Sequence, residues 1–170
     1  MIYIHDFMIS IEKYSKNQKD NDYPFISECP HCHDHIIKNG FYRRYVVVFS
    51  KTYIIYIQRL RCKYCGKSIS IIPSFLIPYF QRNLDSIFQC LREYILNRKS
   101  IFYRRAVFFY LQRFRSNIPG IISFFRDKIN QYLSFGKRKT IKLIEMIKDS
   151  PVPTFSQRFY NHFNKSFMAL

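Results

Sequence analysis

The stretch Cys29-Pro30-His31-Cys32, answered after 29 intervening residues by Cys62-Lys63-Tyr64-Cys65-Gly66-Lys67, decides how this chain is read. Two Cys-x-x-Cys pairs at this distance supply four thiolates that can close tetrahedrally on one Zn²⁺ at about 2.3 Å. Each pair predicts a tight turn with backbone amides aimed at its sulfurs: Pro30 presets φ in the first, and Gly66 permits a positive φ in the second. The chain between the pairs must leave one turn and return to the other, so a β-hairpin is expected. Phe41 to Phe49 and Tyr53 to Arg61 are the β-branched and aromatic runs for it, joined at Ser50-Lys51-Thr52. The competing chemistry is redox or disulfide exchange. Nothing marks the chain as secreted, and a redox pair would need no matching second pair. The expectation is a zinc ribbon with Cys29, Cys32, Cys62 and Cys65 as ligands.

Working outward, Asn39-Gly40 reads as a turn after the first pair, and Lys67 to Ile72 as a third strand closing a three-stranded sheet. Residues 1–14 are apolar-rich and Ser15 to Asp22 polar, so 1–22 is expected to be a loosely held lead-in and linker. Pro73 and Pro78 stop both strand and helix, which bounds the ribbon at 23–78. The remainder divides into a basic helical domain, 79–150, and a tail, 151–170, whose aromatics show no clear period. Leu84, Ile87, Phe88, Leu91 and Ile95 make one apolar stripe, and Tyr103, Val107, Tyr110, Leu111 and Phe114 a second, with Ser100 as its expected N-cap. Ile118, Ile122, Phe125, Ile129 and Tyr132 predict a third helix opened by Asn117 and Pro119, and Thr140 to Ile147 a weaker fourth. The fold class is therefore α+β: a small three-stranded β zinc ribbon followed by a basic all-helical domain.

Charge points to the partner. With 28 Lys and Arg against 11 Asp and Glu, the chain carries +17, and a polyanion is the expected counterpart. Between Asp34 and Asp85 no acidic residue occurs, while Lys38, Arg43, Arg44, Arg59, Arg61 and Lys67 fall there. A second acid-free window from Glu93 to Asp127 holds Arg104 and Arg105 near the start of the second predicted helix. Those eight cations are the candidate nucleic-acid contacts. Only Arg98-Lys99-Ser100 separates the first two predicted helices, so they form either a plain helical hairpin or a helix-turn-helix that presents Arg104, Arg105 and Arg115. Aromatics interleaved with arginines suit stacking on unpaired bases equally well, so duplex DNA and RNA are not separated.

Other residues are assigned plainer parts. His31, His33 and His35 are read as solvated loop histidines, since four thiolates already complete a tetrahedron, and Cys90 as a buried thiol beside the first stripe. Only Asp85, Glu93, Asp127, Glu145 and Asp149 follow the ribbon, with no visible convergence of the kind two-metal phosphoryl chemistry requires. Neither an enzyme nor a small-molecule substrate is expected. No apolar run approaches the ~18–20 residues of a membrane span, and the start lacks the marks of a secretory signal, so a cytoplasmic protein without a membrane partner is expected.

Four strings together resemble a known family: Cys29-Pro30-His31-Cys32, Ile37-Lys38-Asn39-Gly40-Phe41-Tyr42-Arg43-Arg44, Gln58-Arg59-Leu60-Arg61-Cys62-Lys63-Tyr64-Cys65-Gly66-Lys67-Ser68-Ile69-Ser70 and Pro73-Ser74-Phe75-Leu76-Ile77-Pro78. They look like the N-terminal zinc ribbon of bacterial insertion-sequence transposases. They are closer still to a family of short bacterial proteins of unknown function that share this ribbon and a helical tail. The resemblance implies DNA binding through ribbon and helices, with the cysteines at 29, 32, 62 and 65 as ligands. One departure is Ser68-Ile69, where such ribbons carry Thr-Phe, a change in packing that leaves the metal site untouched. The remaining function classes are an RNA-binding or ribosome-associated zinc ribbon protein and a protein-interaction module whose basic face meets an acidic partner.

Overall fold

The computed structural model describes residues 1–100, 102–125, 137–150 and 154–169. It divides into two compact units, Met1–Asn83 and Leu84–Leu170. The architecture is mixed α+β, with one four-stranded sheet and five helices among the described residues.

In the first unit the strands are β1 (Ile2–His5), β2 (Ile36–Val48), β3 (Lys51–Cys62) and β4 (Ser68–Pro73), in the order β1-β4-β3-β2. β2 and β3 form one long antiparallel hairpin from Ile36↔Cys62 to Val48↔Lys51, so the cysteine Cys62 ends a strand at the base of the hairpin. The expected turn at Asn39-Gly40 is instead a bulge inside β2: register shifts between Lys38 and Phe41, and Gly40 takes a φ of 77°. A Cβ there would meet nothing within 4 Å, so backbone conformation alone accounts for the glycine.

The expected three strands become four because the lead-in is part of the sheet. β1 lies parallel to β4, pairing Ile2↔Ser70 through His5↔Pro73. Helix α1 (Ile11–Asn17) follows, with the Ser10 hydroxyl accepting from the Lys13 amide at its N-cap. Its Tyr14 is fully buried, donates its hydroxyl to the Tyr56 carbonyl at 3.0 Å, and lies 3.1 Å from the Tyr23 hydroxyl. Residues 1–22 are thus tied down by strand pairing and by a buried aromatic. The boundary also moves: Leu76, Ile77 and Phe80 are buried, Leu76 bridges Asn83, and the unit runs on to Asn83 rather than stopping at 78.

Strand alternation splits the core in two. Val46, Ile55, Ile57 and Ile72 share one face of the sheet and pack with Ile11, Tyr14 and Leu76. Leu60, Cys62, Ile69 and Ile71 share the other and pack with Cys29 and Ile36.

The second unit contains α2 (Leu84–Asn97), α3 (Arg104–Phe124), α4 (Lys137–Lys148) and α5 (Phe155–Phe163). The α2 stripe Ile87, Phe88, Leu91 and Ile95 is buried as its spacing requires. Instead of two helices meeting at Asn117 and Pro119, α3 runs through both. Pro119 deletes one amide donor. Asn117 is buried, and its side-chain amide holds the Arg113 and Ala169 carbonyls. Ser100 caps no helix: its hydroxyl accepts from the Phe102 amide at 2.9 Å and lies 3.4 Å from the buried Cys90 sulfur. The tail is ordered into α5, with Phe155, Phe159 and Phe167 buried. Ile129 and Tyr132 of the expected third helix lie outside the described residues. No helix among the described residues is long and apolar enough to cross a membrane.

Candidate metal centre and basic surface

The two Cys-x-x-Cys turns are built on one pattern. In each, the amide of the first cysteine donates to the carbonyl five residues on, Cys29 to Asp34 at 2.9 Å and Cys62 to Lys67 at 3.0 Å. In each, the residue four places after the first cysteine is left-handed, His33 at φ 60° and Gly66 at φ 69°. The turns are also joined: the Lys63 amide donates to the His35 carbonyl at 3.1 Å. Within the second turn the Cys65 amide points at the Cys62 sulfur at 3.4 Å, as an amide serving a thiolate should.

This construction gathers the four sulfurs within 4.8 Å of one another. Cys29 and Cys65 lie 3.7 Å apart, and Cys32 and Cys62 3.4 Å. Four ligands about 2.3 Å from a tetrahedral ion would stand about 3.8 Å from each other, whereas a disulfide needs about 2.05 Å. All four are free thiols. The donor set therefore fits a tetrahedral metal ion. Cys29 and Cys62 are buried in the apolar cluster of Leu60, Ile69 and Ile71, with Cys32 and Cys65 half-buried. His31, His33 and His35 are exposed and stand outside the tetrad.

The electrostatics ask for a cation. Amides of His31 and then Cys32 turned toward the Cys29 sulfur outweigh its burial and bring that thiol down to about 6. For Cys32 the Asp34 amide acts in the same sense, but burial and the sulfurs of Cys62, Cys65 and Cys29 prevail and push it up to about 12. Thiolates this close repel one another, so the group would gather negative charge only with a compensating positive charge beside it. A dication held by the four sulfurs would supply that charge, and its binding would release protons.

The eight sequence-selected cations are not one surface. Arg43 is exposed and sits over the Tyr45 ring at 5.2 Å on one face of the sheet. Arg59, also exposed, sits over Tyr42 at 5.7 Å, and strand parity puts that pair on the opposite face. Arg44 shares the face of Tyr42 and Val46, and its guanidinium is half-buried, donating to the carbonyls of Ile77 and Phe80. It braces residues 77–80 and is not offered to a phosphate, because an alternating strand that shows Arg43 to solvent must turn Arg44 inward. Lys38, Arg61 and Lys67 are exposed at the knuckle end of the hairpin. Arg104 and Arg105 are exposed in the first turn of α3, where cations oppose the helix dipole, with Arg104 over Phe108 at 5.5 Å. The link from α2 to α3 spans residues 98–103, longer than the three residues expected.

One feature has no counterpart in the sequence reading, and a second gives residues to its interleaved aromatics. On the Arg59 face, Tyr42, Arg44, Arg59, Ser70, Tyr79 and Gln81 line a cleft of about 390 Å³, over which Tyr79 stands 88% exposed at a φ of 68°. On α3, Phe108 and Phe109 are both 44% exposed beside Arg104 and Arg105. Their positions fall between the apolar stripe positions, which is the signal that could have found them.

The tetrad lies within a stretch that is similar to a described family. Residues 29–102 match the family described as Domain of unknown function (DUF6431). The matched span opens at Cys29 and closes at Phe102, so it holds all four cysteines, β2 to β4 and α2, and leaves out β1, α1 and α3. No curated protein and no solved structure matches the chain.

Proposed function

We propose that this is a zinc-ribbon protein that binds nucleic acid, DNA in particular, derived from or akin to the DNA-binding part of an insertion-sequence transposase and without a catalytic centre of its own. Zinc is the ion favoured by a four-thiolate set in a reducing compartment, and it acts structurally, since four protein ligands leave no open position for substrate. The observation that carries the binding function is the pairing of exposed arginines with aromatic rings on both units, Arg43 on Tyr45, Arg59 on Tyr42 and Arg104 on Phe108, in a chain of charge +17. Such pairs offer a guanidinium to phosphate and a ring to a base.

RNA or unpaired DNA is the second reading. Exposed Tyr103, Phe108 and Phe109 favour it, because stacking platforms are spent on bases that are not already stacked in a duplex. Binding curves on matched duplex and single-stranded probes over a range of salt decide between the two. Tighter duplex binding with a steep negative salt slope supports the DNA reading. Preference for single strands transfers the function to RNA or unpaired DNA, and no affinity at low salt defeats both in favour of an acidic protein partner.

A further inference from the structure

In the helical unit a cleft of about 440 Å³ opens between α2, α3 and α4. Its apolar lining is Ile95, Leu111 and Ile118, the first two buried. Its cations come from three separate elements: Arg98 just past α2, Arg115 on α3 and Lys139 in the first turn of α4. The described lining contains no carboxylate. Cations gathered around a concavity with apolar walls raise the positive potential in the gap.

The backbone at Arg98 adds an independent observation. Arg98 has a φ of 58°, and its amide donates to the Tyr94 carbonyl at 3.1 Å to close α2. Glycine or asparagine ordinarily holds this left-handed position, and an arginine there is strained. What the position gains is a guanidinium aimed at the cleft, held over the Tyr94 ring at 5.4 Å.

We propose that this cleft binds a phosphate group carried on a nucleoside. The phosphate is taken by Arg98 and Arg115, and the sugar or base lies against Ile95, Leu111 and Ile118. Guanidinium forks match phosphate oxygens in pairs, and the volume is that of a small-ligand site. The nucleoside phosphate is either a free mononucleotide or the 5′-terminal nucleotide of a strand.

The test is titration calorimetry on the full zinc-loaded chain at low salt, with AMP, adenosine and inorganic phosphate as probes. AMP should bind, inorganic phosphate more weakly, and adenosine not measurably. Arg98→Asn, which suits the left-handed backbone and so keeps the fold, and Arg115→Gln should each lower AMP affinity roughly tenfold or more. Arg43→Ala in the other unit should leave it unchanged. A 5′-phosphorylated single strand that outbinds its 5′-hydroxyl twin by a factor abolished in Arg98→Asn assigns the site to strand ends; AMP binding without that gain assigns it to a free nucleotide. No AMP binding, equal binding of AMP and adenosine, or AMP affinity unmoved by both substitutions in chains with unchanged circular dichroism overturns the proposal.

Discussion

The unit Met1–Asn83 and the unit Leu84–Leu170 reach a folded state by different means. The first spreads its apolar residues over two faces of one sheet and leaves Tyr45, Ile54, Tyr64 and Tyr79 substantially exposed. Four cysteine sulfurs come within 4.8 Å of one another at its knuckle end. The second packs aromatic on aromatic: Phe125 stacks on Phe155 at 5.1 Å, Phe155 meets Phe167 at 5.1 Å, and Phe88 meets Phe114 at 6.1 Å. A small sheet with two half-covered faces buries little surface at its turn end, and on the proposed reading a metal held by the tetrad would make up the deficit. Helices with Phe at facing positions need no such help.

That contrast fixes what should break each unit. The largest effect belongs to the tetrad. Cys62→Ser breaks the four-thiolate set, whose zinc binding as a whole would supply folding free energy on the order of 10 kcal/mol at neutral pH. The ribbon amides should lose their dispersed NMR signals while those of α2 to α5 keep theirs. A folded ribbon in the zinc-free variant would mean that the sheet holds itself.

Next in size is the aromatic core. Phe159 is fully buried and touches Phe155, Phe163 and Phe167. Phe159→Ala should cost about 3–5 kcal/mol in denaturant unfolding of the helical unit. Zinc content should stay at one per chain, and a loss of zinc in this variant would couple the two units.

Within the ribbon, neighbouring arginines should part company. Arg44→Ala strips two carbonyls of their donor and should cost about 1–3 kcal/mol of stability. Arg43→Ala should leave stability alone and reduce the log–log salt slope of duplex binding by roughly 0.9 if it meets one phosphate. Equal effects of the two on stability would contradict the inward and outward assignment.

The smallest test concerns the paired turns. His33 stands where the second turn has Gly66, so His33→Gly should stabilise the ribbon by about 1 kcal/mol and Gly66→Ala destabilise it by a similar amount. An added Cβ at Gly66 would meet only the Arg61 guanidinium at 3.9 Å, so the cost is one of backbone conformation. Thermal midpoints of the zinc-loaded chains measure both.

The tetrad was legible because Cys-x-x-Cys spacing is a local geometric statement, and the hairpin followed from it. Strand β1 was not, since four residues pairing in parallel with β4, far along the chain, leave no local trace. The passage of α3 through Pro119 was not legible either, since a proline reads locally as a helix breaker. The tail was readable after all: Phe155, Phe159, Phe163 and Phe167 recur at intervals of four, a helical stripe that α5 uses up to Phe163. Pairing the two turns residue for residue would likewise have marked His33 as standing in a glycine position. The division of Arg43 from Arg44 needed only strict alternation along β2, which the bulge at Gly40 and the run of valines obscured.

The measurement that tests the central contrast most directly is amide hydrogen exchange on the purified chain, with its metal content determined, before and after a zinc chelator. One zinc per chain is predicted, with chelation abolishing protection along β2, β3 and β4 while α2, α3 and α5 exchange as before. Protection of the hairpin that survives removal of the metal, or a purified chain carrying well under one zinc with the ribbon still folded, would contradict the account.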